Sequence, residues 1–182
     1  MSTLDGSGIT ISAKAALGEI EAVIAEIDRA GLRRLAEETD AAPRVFFAAG
    51  GRSLLILRAI AMRLMHIGLE THIVGDTTTP AVGPGDLVVV ASARAGRAAR
   101  ATAVAAREAG ARVVGVSASA EAFDGAAETV LCLPARTVVP THQHAGSLFE
   151  QTLLVVGDAV TRSVQASRRA TPSALEARHA NL

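Results

Sequence analysis

Aromatic side chains are scarce in this sequence of 182 residues, which contains four Phe and neither Trp nor Tyr. A hydrophobic core must therefore be built from Val, Leu, Ile and Ala. The aromatic platforms on which proteins stack single-stranded nucleic acid are not expected. Positive and negative side chains balance at 18 each, so no basic field favours DNA, RNA or an anionic membrane. We expect no nucleic-acid partner.

Cysteine and long apolar runs are also lacking. The one cysteine, Cys132, excludes an intrachain disulfide and a Cys-based zinc site, and its position in the apolar run TVLCL predicts a core residue. No apolar run reaches the 18 or so residues of a membrane span. The opening MSTLDGSGIT has neither the basic region nor the apolar stretch of a signal peptide. These features predict a cytoplasmic protein with no membrane partner.

The composition of the chain, 49% hydrophobic and 20% charged residues, is that of an ordinary globular protein. Its length suggests one domain with a single sizeable core. The apolar pattern fades near residue 166, in the stretch QASRRATPSALEARHANL. We therefore predict one domain over residues 1–168, including an N-terminal helix, and a flexible C-terminal tail over residues 169–182.

Short apolar runs alternate with helical stretches from residue 44 onwards. The runs are nearly continuous in apolar residues, as expected of parallel strands covered on both faces. They lie at 44–49, 71–75, 86–91, 112–117 and 129–133, and helices are predicted at about 53–67, 97–109, 119–127 and 147–165. This alternation predicts an α/β fold, a doubly wound five-stranded parallel sheet flanked by helices.

An N-terminal helical arm precedes the first strand. A helix over about 10–30 is predicted from an apolar stripe at spacings of three and four, with Gly31 as its stop. The stripe comprises Leu17, Ile20, Ile24 and Ile27. A second short helical segment is predicted to run to Glu38. The stripe must be buried on the sheet or on another subunit.

Ligands of such sheets bind beyond the carboxyl ends of the strands, where the stretch GGRS follows the first strand. Gly50 and Gly51 allow a ligand to approach the backbone, and the helix that begins near Arg52 offers free N–H groups to an anion. The Ser53 hydroxyl can donate to a phosphate oxygen. The alternative is that Ser53 is only a helix N-cap.

A second loop at this edge, SARAGR over residues 92–97, follows the third predicted strand. A sugar phosphate would meet backbone N–H groups, the Ser92 hydroxyl and two guanidinium groups, Arg94 and Arg97, which suit phosphate oxygens. The alternative is that both arginines point into water. The loop therefore allows two interpretations at this stage.

The segment THQHAGSLFEQTLL contains a third candidate, Glu150, in the first turn of a largely apolar helix. Partial burial would favour a carboxylate as a general base. The alternative is a capping box, because Ser147 lies three residues earlier. The nearby His142 and His144 have no acidic or cysteine partner in sequence, so we predict no metal site. His66, near the end of the helix RAIAMRLMHIG, is by itself a surface or helix-terminal residue as readily as a catalytic one.

Taken together, these segments resemble the sugar isomerase (SIS) domain and, within it, the 6-phospho-3-hexuloisomerases. The stretch AMRLMHIG, followed by a strand and VGDTTTP, is similar to A-M-R-L-M-H-L-G and V-G-E-T-x-T-P of that family. GSLFEQTLLVVGDAV is similar to its G-T-x-F-E-x-x-x-x-x-x-D-A. The stretch GRS, 51–53, fits its first phosphate loop. The resemblance covers roughly residues 10–165.

The resemblance implies an isomerase that interconverts D-arabino-3-hexulose 6-phosphate and fructose 6-phosphate through an enediol, without metal or organic cofactor. The resemblance further implies that this isomerase serves formaldehyde assimilation by the ribulose monophosphate pathway. Glu150 becomes the expected base and His66 a second proton-transfer group. The resemblance also implies a homo-oligomer, a dimer or tetramer, whose sites lie at subunit interfaces. Gly51, Arg52, Ser53 and Ser92 become expected phosphate ligands.

The second loop departs from the family pattern, which is close to S-G-S-G-E-T. Ser92 is kept, whereas Arg94 and Arg97 stand where the family has a hydroxyl residue. Either the loop binds a sugar phosphate through one of these arginines, or their side chains fill the pocket. The second case leaves two further functions open: a non-catalytic or regulatory sugar-phosphate-binding protein, and an isomerase of another sugar phosphate.

Overall fold

The chain forms one parallel sheet with helices on both faces, and the computed structural model describes residues 5–181. The helices are α1 (Gly6–Ala25), α2 (Arg29–Ala41), α3 (Gly51–His66), α4 (Arg97–Glu108), α5 (Ser147–Ser167) and α6 (Pro172–Glu176). The strands are β1 (Arg44–Ala49), β2 (Glu70–Ile73), β3 (Leu87–Ala91), β4 (Arg112–Ser117) and β5 (Thr129–Cys132). The strand order is β2-β1-β3-β4-β5, with every neighbouring pair parallel. The predicted fold class is confirmed.

Alternate residues of each strand face opposite sides of the sheet and supply two hydrophobic clusters. On β1, Val45 and Phe47 belong to a cluster completed by α1, α2, α3 and α5. Phe46 and Ala48 belong to the opposite cluster, together with Ala103 of α4. Because both faces are covered, the strands can be apolar along their length, as the sequence indicated.

The N-terminal arm differs in detail from its prediction. The first helix ends at Ala25, and Gly31 does not stop a helix but lies inside α2. The break occurs because Asp28 is the N-cap of α2 and its carboxylate accepts hydrogen bonds from the backbone N–H groups of Ala30 and Gly31 at 3.0 Å. An aspartate cap therefore sets the boundary that the sequence analysis assigned to a glycine.

The prediction of a helix at 119–127 is wrong, because this segment forms successive turns before β5. Phe123 is fully buried and packs against Gly115 of β4. The Arg100 guanidinium of α4 donates to the Ala122 carbonyl at 2.5 Å, and that of Arg107 donates to the Gly125 carbonyl at 2.7 Å. These donors satisfy carbonyl groups that a helix would have used for its own ladder.

The segment predicted to be a flexible tail contains α6. Thr171 caps this helix, and its hydroxyl accepts from the backbone N–H of Ala174. Beyond α6, the Arg178 side chain lies against Gly68, and His179 stacks on His66 at the end of α3. The tail thus touches its own chain, while the domain boundary at 168 and the mobility of the tail stay predictions.

Cys132 ends β5 and is half-buried rather than fully enclosed. Burial, followed by the charge of Glu121, raises the pKa of its thiol above the usual value. The thiolate, which is the reactive form of cysteine, is therefore disfavoured. Within residues 5–181, none of the helices combines the length and the apolarity that a membrane crossing requires.

Candidate active site

The site lies where β1 and β3 end side by side. After β1 the chain goes to β2 on one side of the sheet, whereas β3 lies on the other side, so the connections diverge at this point. Such a switch point leaves a crevice at the carboxyl ends of the strands. A cleft of about 410 Å³ lies here, and its lining includes Ala49, Gly50, Ser92, Gly96 and Arg97.

The first loop joins β1 to α3. Gly50 is the N-cap of α3, and Gly51 has a φ of 57°, a conformation that a side chain would strain. Ser53 is the third residue of the helix and is buried, so the alternative that it is the N-cap is wrong. No side chain caps this helix, which leaves its first N–H groups available to an anion.

The second loop joins β3 to α4. The backbone N–H of Ser92 donates to the Val116 carbonyl at 2.9 Å, which fixes the start of the loop. Gly96 is the N-cap of α4 without a side-chain hydrogen bond, and Arg97 is the first residue of the helix. Arg97 lines the cleft, whereas Arg94 does not. Both side chains are exposed, and neither forms a salt bridge with any residue that the structure describes.

The start of α5 carries Glu150. Gly146 is the N-cap and Ser147 already lies inside the helix, so the capping-box alternative is wrong. The Glu150 side chain is 14% exposed and its Oε2 lies 2.9 Å from Arg52 Nε, in a salt bridge that joins the first turns of α3 and α5. A side chain at Gly146 would come within 3.3 Å of Glu150 Oε1. The predicted base is thus held between Arg52 and a glycine.

The three helices that begin around this site share one feature. Each of α3, α4 and α5 starts at a glycine N-cap with no side-chain hydrogen bond. By contrast, α1, α2 and α6 are capped by the side chains of Asp5, Asp28 and Thr171. Side-chain caps are therefore lacking on the described helices whose N-termini carry the predicted site residues.

Sequence comparison assigns the chain to a family. No protein-family model matches it. A curated relative from Mycobacterium gastri, 3-hexulose-6-phosphate isomerase, is 40% identical over 184 residues, which cover 97% of this chain and 92% of the relative. The 3-hexulose-6-phosphate isomerase of Bacillus subtilis (strain 168) is 32% identical over 91% of this chain and 94% of that protein. The chain belongs to the 3-hexulose-6-phosphate isomerase family.

The fold agrees with this assignment. A crystal structure of a Methanococcus jannaschii protein, from which a molecular function of 3-hexulose-6-phosphate isomerase was inferred, is similar with a TM-score of 0.82. The two chains are 25% identical, and the match covers 93% of this chain and 98% of the other. The resemblance stated from the motifs is confirmed, and the chain is a sugar-phosphate isomerase of the SIS type.

In this isomerase, His66 is far from the first loop. It ends α3, and a helical rise of 1.5 Å per residue puts it about 20 Å from Ser53. Its ring is buried and stacks on His179 with 4.8 Å between the ring centroids. Burial, and then the neighbouring His179 and Arg63, lower the pKa of His66. Within one chain the structure does not bring His66 to the cleft, so its catalytic role stays a prediction that requires a second copy.

Glu19 of α1 is a contact residue that the sequence analysis missed. Its carboxylate accepts from Thr141 Oγ1 at 2.6 Å and from Gln143 Nε2 at 2.8 Å, in the loop that leads to α5. Hydrogen bonds from Thr141 and then Gln143 lower the pKa of Glu19, although partial burial opposes them. The loop ends at Ala145, whose φ of 46° is unusual for a residue with a side chain. No local pattern marks Glu19, because its partners lie 122 and 124 residues away.

An apolar groove and a pair of histidines lie outside this site, and neither is suited to bind a phosphate or a metal ion. A groove of about 510 Å³ between α1, α2 and α5 is lined mainly by apolar residues such as Ile24, Leu32 and Val160, and it lies away from the strand ends. It is larger than the cleft but offers few donors to a phosphate. His142 and His144 are exposed, and within residues 5–181 no group of three or more His, Cys, Asp or Glu side chains has a metal-binding arrangement.

Proposed function

We propose that this isomerase interconverts D-arabino-3-hexulose 6-phosphate and fructose 6-phosphate. The observation that carries the proposal is Glu150, a largely buried carboxylate in the first turn of α5 that contacts the first turn of α3, where both helices start at a glycine N-cap. A phosphorylated sugar needs an anion site and a nearby base, and this edge offers both. The named relatives from Mycobacterium gastri and Bacillus subtilis support the same substrate.

The phosphate is proposed to bind between the first and second loops. Free N–H groups at the starts of α3 and α4, at Gly51 and Arg97, favour a dianion there. The hydroxyls of Ser53 and Ser92 are additional donors, and Arg97 supplies a charge from the lining of the cleft. Arg94 is exposed and does not line the cleft, so it is the weaker candidate of the two arginines for contact with the phosphate.

The reaction moves a carbonyl from C3 to C2 of the sugar. In the proposed mechanism, Glu150 removes the proton from C2, an enediol forms between C2 and C3, and a proton is then delivered to C3. A second group moves a proton between the two oxygens, and His66 of a neighbouring copy is proposed for this role. The steps transfer protons alone, so the proposal includes no metal or organic cofactor.

The proposal extends to the setting of the enzyme. A dimer or tetramer with sites at subunit interfaces would bring His66 of one copy to Glu150 of another. The reaction belongs to formaldehyde assimilation by the ribulose monophosphate pathway, and we propose a cytoplasmic location. The non-catalytic binder is not favoured, because the named relatives are isomerases.

The test is proton NMR of fructose 6-phosphate with the enzyme in deuterated water. The native protein should exchange the C3 proton, and Glu150→Gln should slow this exchange by about two orders of magnitude or more, the usual contribution of a general base. Glu37→Gln, which changes an exposed glutamate of α2, is the control and should leave the rate unchanged. Equal rates of C3 proton exchange by the native protein and Glu150→Gln would show that Glu150 is not the base. Exchange at C1 would indicate an aldose–ketose isomerase instead.

A further inference from the structure

The first phosphate loop contains an arginine whose contact is with the base rather than with the cleft. Arg52 Nε lies 2.9 Å from Glu150 Oε2. Neither side chain belongs to the lining of the 410 Å³ cleft, which does include Gly50, two residues before Arg52. Arg52 therefore belongs to the first loop, but its side chain contacts the predicted base.

The pair is asymmetric in exposure. The Arg52 side chain is 61% exposed, and that of Glu150 is 14% exposed. Water screens the exposed guanidinium, which limits what the pair contributes to folding stability. The contact also restricts where the largely buried Glu150 carboxylate can go.

The second oxygen of Glu150, Oε1, has space beside it. A Cβ built on Gly146 would lie 3.3 Å from Oε1, so the absence of a side chain at Gly146 leaves room for that oxygen. Arg52 engages Oε2 on one side, and Oε1 remains next to a glycine on the other. Such a carboxylate has one oxygen held and one oxygen available to accept a proton.

A different arginine is placed to balance the phosphate charge. Arg97 lines the cleft at the first turn of α4 and forms no salt bridge with residues 5–181. Arg52 already has a carboxylate partner. The two guanidinium groups thus have different surroundings. That of Arg97 lines the cleft, and that of Arg52 pairs with Glu150.

We infer that Arg52 is a positioning residue for Glu150 and not a phosphate ligand. This inference rests on the proposed function, since it concerns the base of that reaction. A base must lie within hydrogen-bond reach of the carbon-bound proton, and a displacement of about 1 Å can lower the rate by about a hundredfold. Loss of Arg52 should therefore act on kcat, whereas loss of a phosphate ligand should act on KM.

The experiment measures kcat and KM for fructose 6-phosphate, by C3 proton exchange, in Arg52→Met and Arg52→Lys. We expect Arg52→Met to lower kcat by about 10- to 100-fold with KM within about twofold. Arg52→Lys retains a charge near Oε2 and should recover part of the loss. Arg33→Met removes an exposed arginine that is paired with Glu37 on α2, and it should match the native protein.

A double variant separates the possible roles. If Arg52 acts through Glu150, adding Arg52→Met to Glu150→Gln should lower kcat by less than about twofold further. Multiplied losses in the double variant, or a raised KM with unchanged kcat in Arg52→Met, would overturn the inference and leave the proposed function standing. Native protein that exchanges no C3 proton would instead overturn the proposed function, and the positioning role with it.

Discussion

Helices α3 and α5 pack tightly against each other at Gly157 of α5. A methyl group at this position would lie 2.8 Å from Ile60 Cγ1 of α3 and closer still to its Cδ1. Carbon atoms in contact prefer about 3.5–4.0 Å, so Gly157→Ala requires Ile60 or the helices to move by about 1 Å or more. Ile60 is only 6% exposed, which leaves it little freedom to turn away.

Two opposing free energies decide the effect of Gly157→Ala. Overpacking a core costs about 1–3 kcal/mol, whereas alanine in a helix interior is about 1 kcal/mol better than glycine. The net result should be a loss of up to about 2 kcal/mol in the free energy of unfolding. In an Ile60→Ala background the clashing atoms are gone, so the same substitution should stabilise the protein by about 1 kcal/mol.

Urea unfolding followed by circular dichroism measures this reversal in four proteins: native, both single variants and the double variant. Equal protein concentrations are required, since assembly would shift the midpoints. The double-mutant coupling should be about 1–3 kcal/mol. If Gly157→Ala raises the midpoint equally in both backgrounds, the helices do not approach each other at this point and the reasoning is refuted.

Two further predictions concern the substituted loop and the buried imidazole. Arg97→Met should raise KM for fructose 6-phosphate at least about tenfold, because one charged hydrogen-bond donor to the phosphate is lost. Arg94→Met should raise KM by less. Equal increases in KM, measured by steady-state kinetics, would contradict the different placement of the two arginines. Because burial, His179 and Arg63 lower the pKa of His66, the unfolded chain binds the proton more readily, so the free energy of unfolding should fall as pH falls from 7 to 5. His66→Gln should flatten this slope in urea titrations at each pH, and an unchanged slope would exclude His66 as its source.

The candidate site was predictable to the extent that strand ends and motifs reveal it. GGRS and SARAGR follow apolar runs, and both loops lie at the predicted edge of the sheet because parallel strands end there together. The roles of individual residues at the helix starts were harder to predict. Whether Ser53 and Ser147 are caps depends on where each helix begins, and single-sequence patterns locate helix ends poorly.

The sequence by itself determined the sheet and its position along the chain. Strands covered on both faces need continuous apolar runs, and the runs at 44–49 and 112–117 coincide with β1 and β4. It also located Glu150 at the start of a helix, because the apolar pattern that begins near Ser147 continues along α5.

Only the tertiary structure decided which of these residues meet. Arg52 pairs with Glu150, and Glu19 holds the loop before α5, because packing brings together segments that are far apart in sequence. It also separated His66 from the cleft, since residues at opposite ends of a 16-residue helix cannot reach the same place. Composition and periodicity act over neighbouring residues, whereas a site is assembled by contacts across the fold.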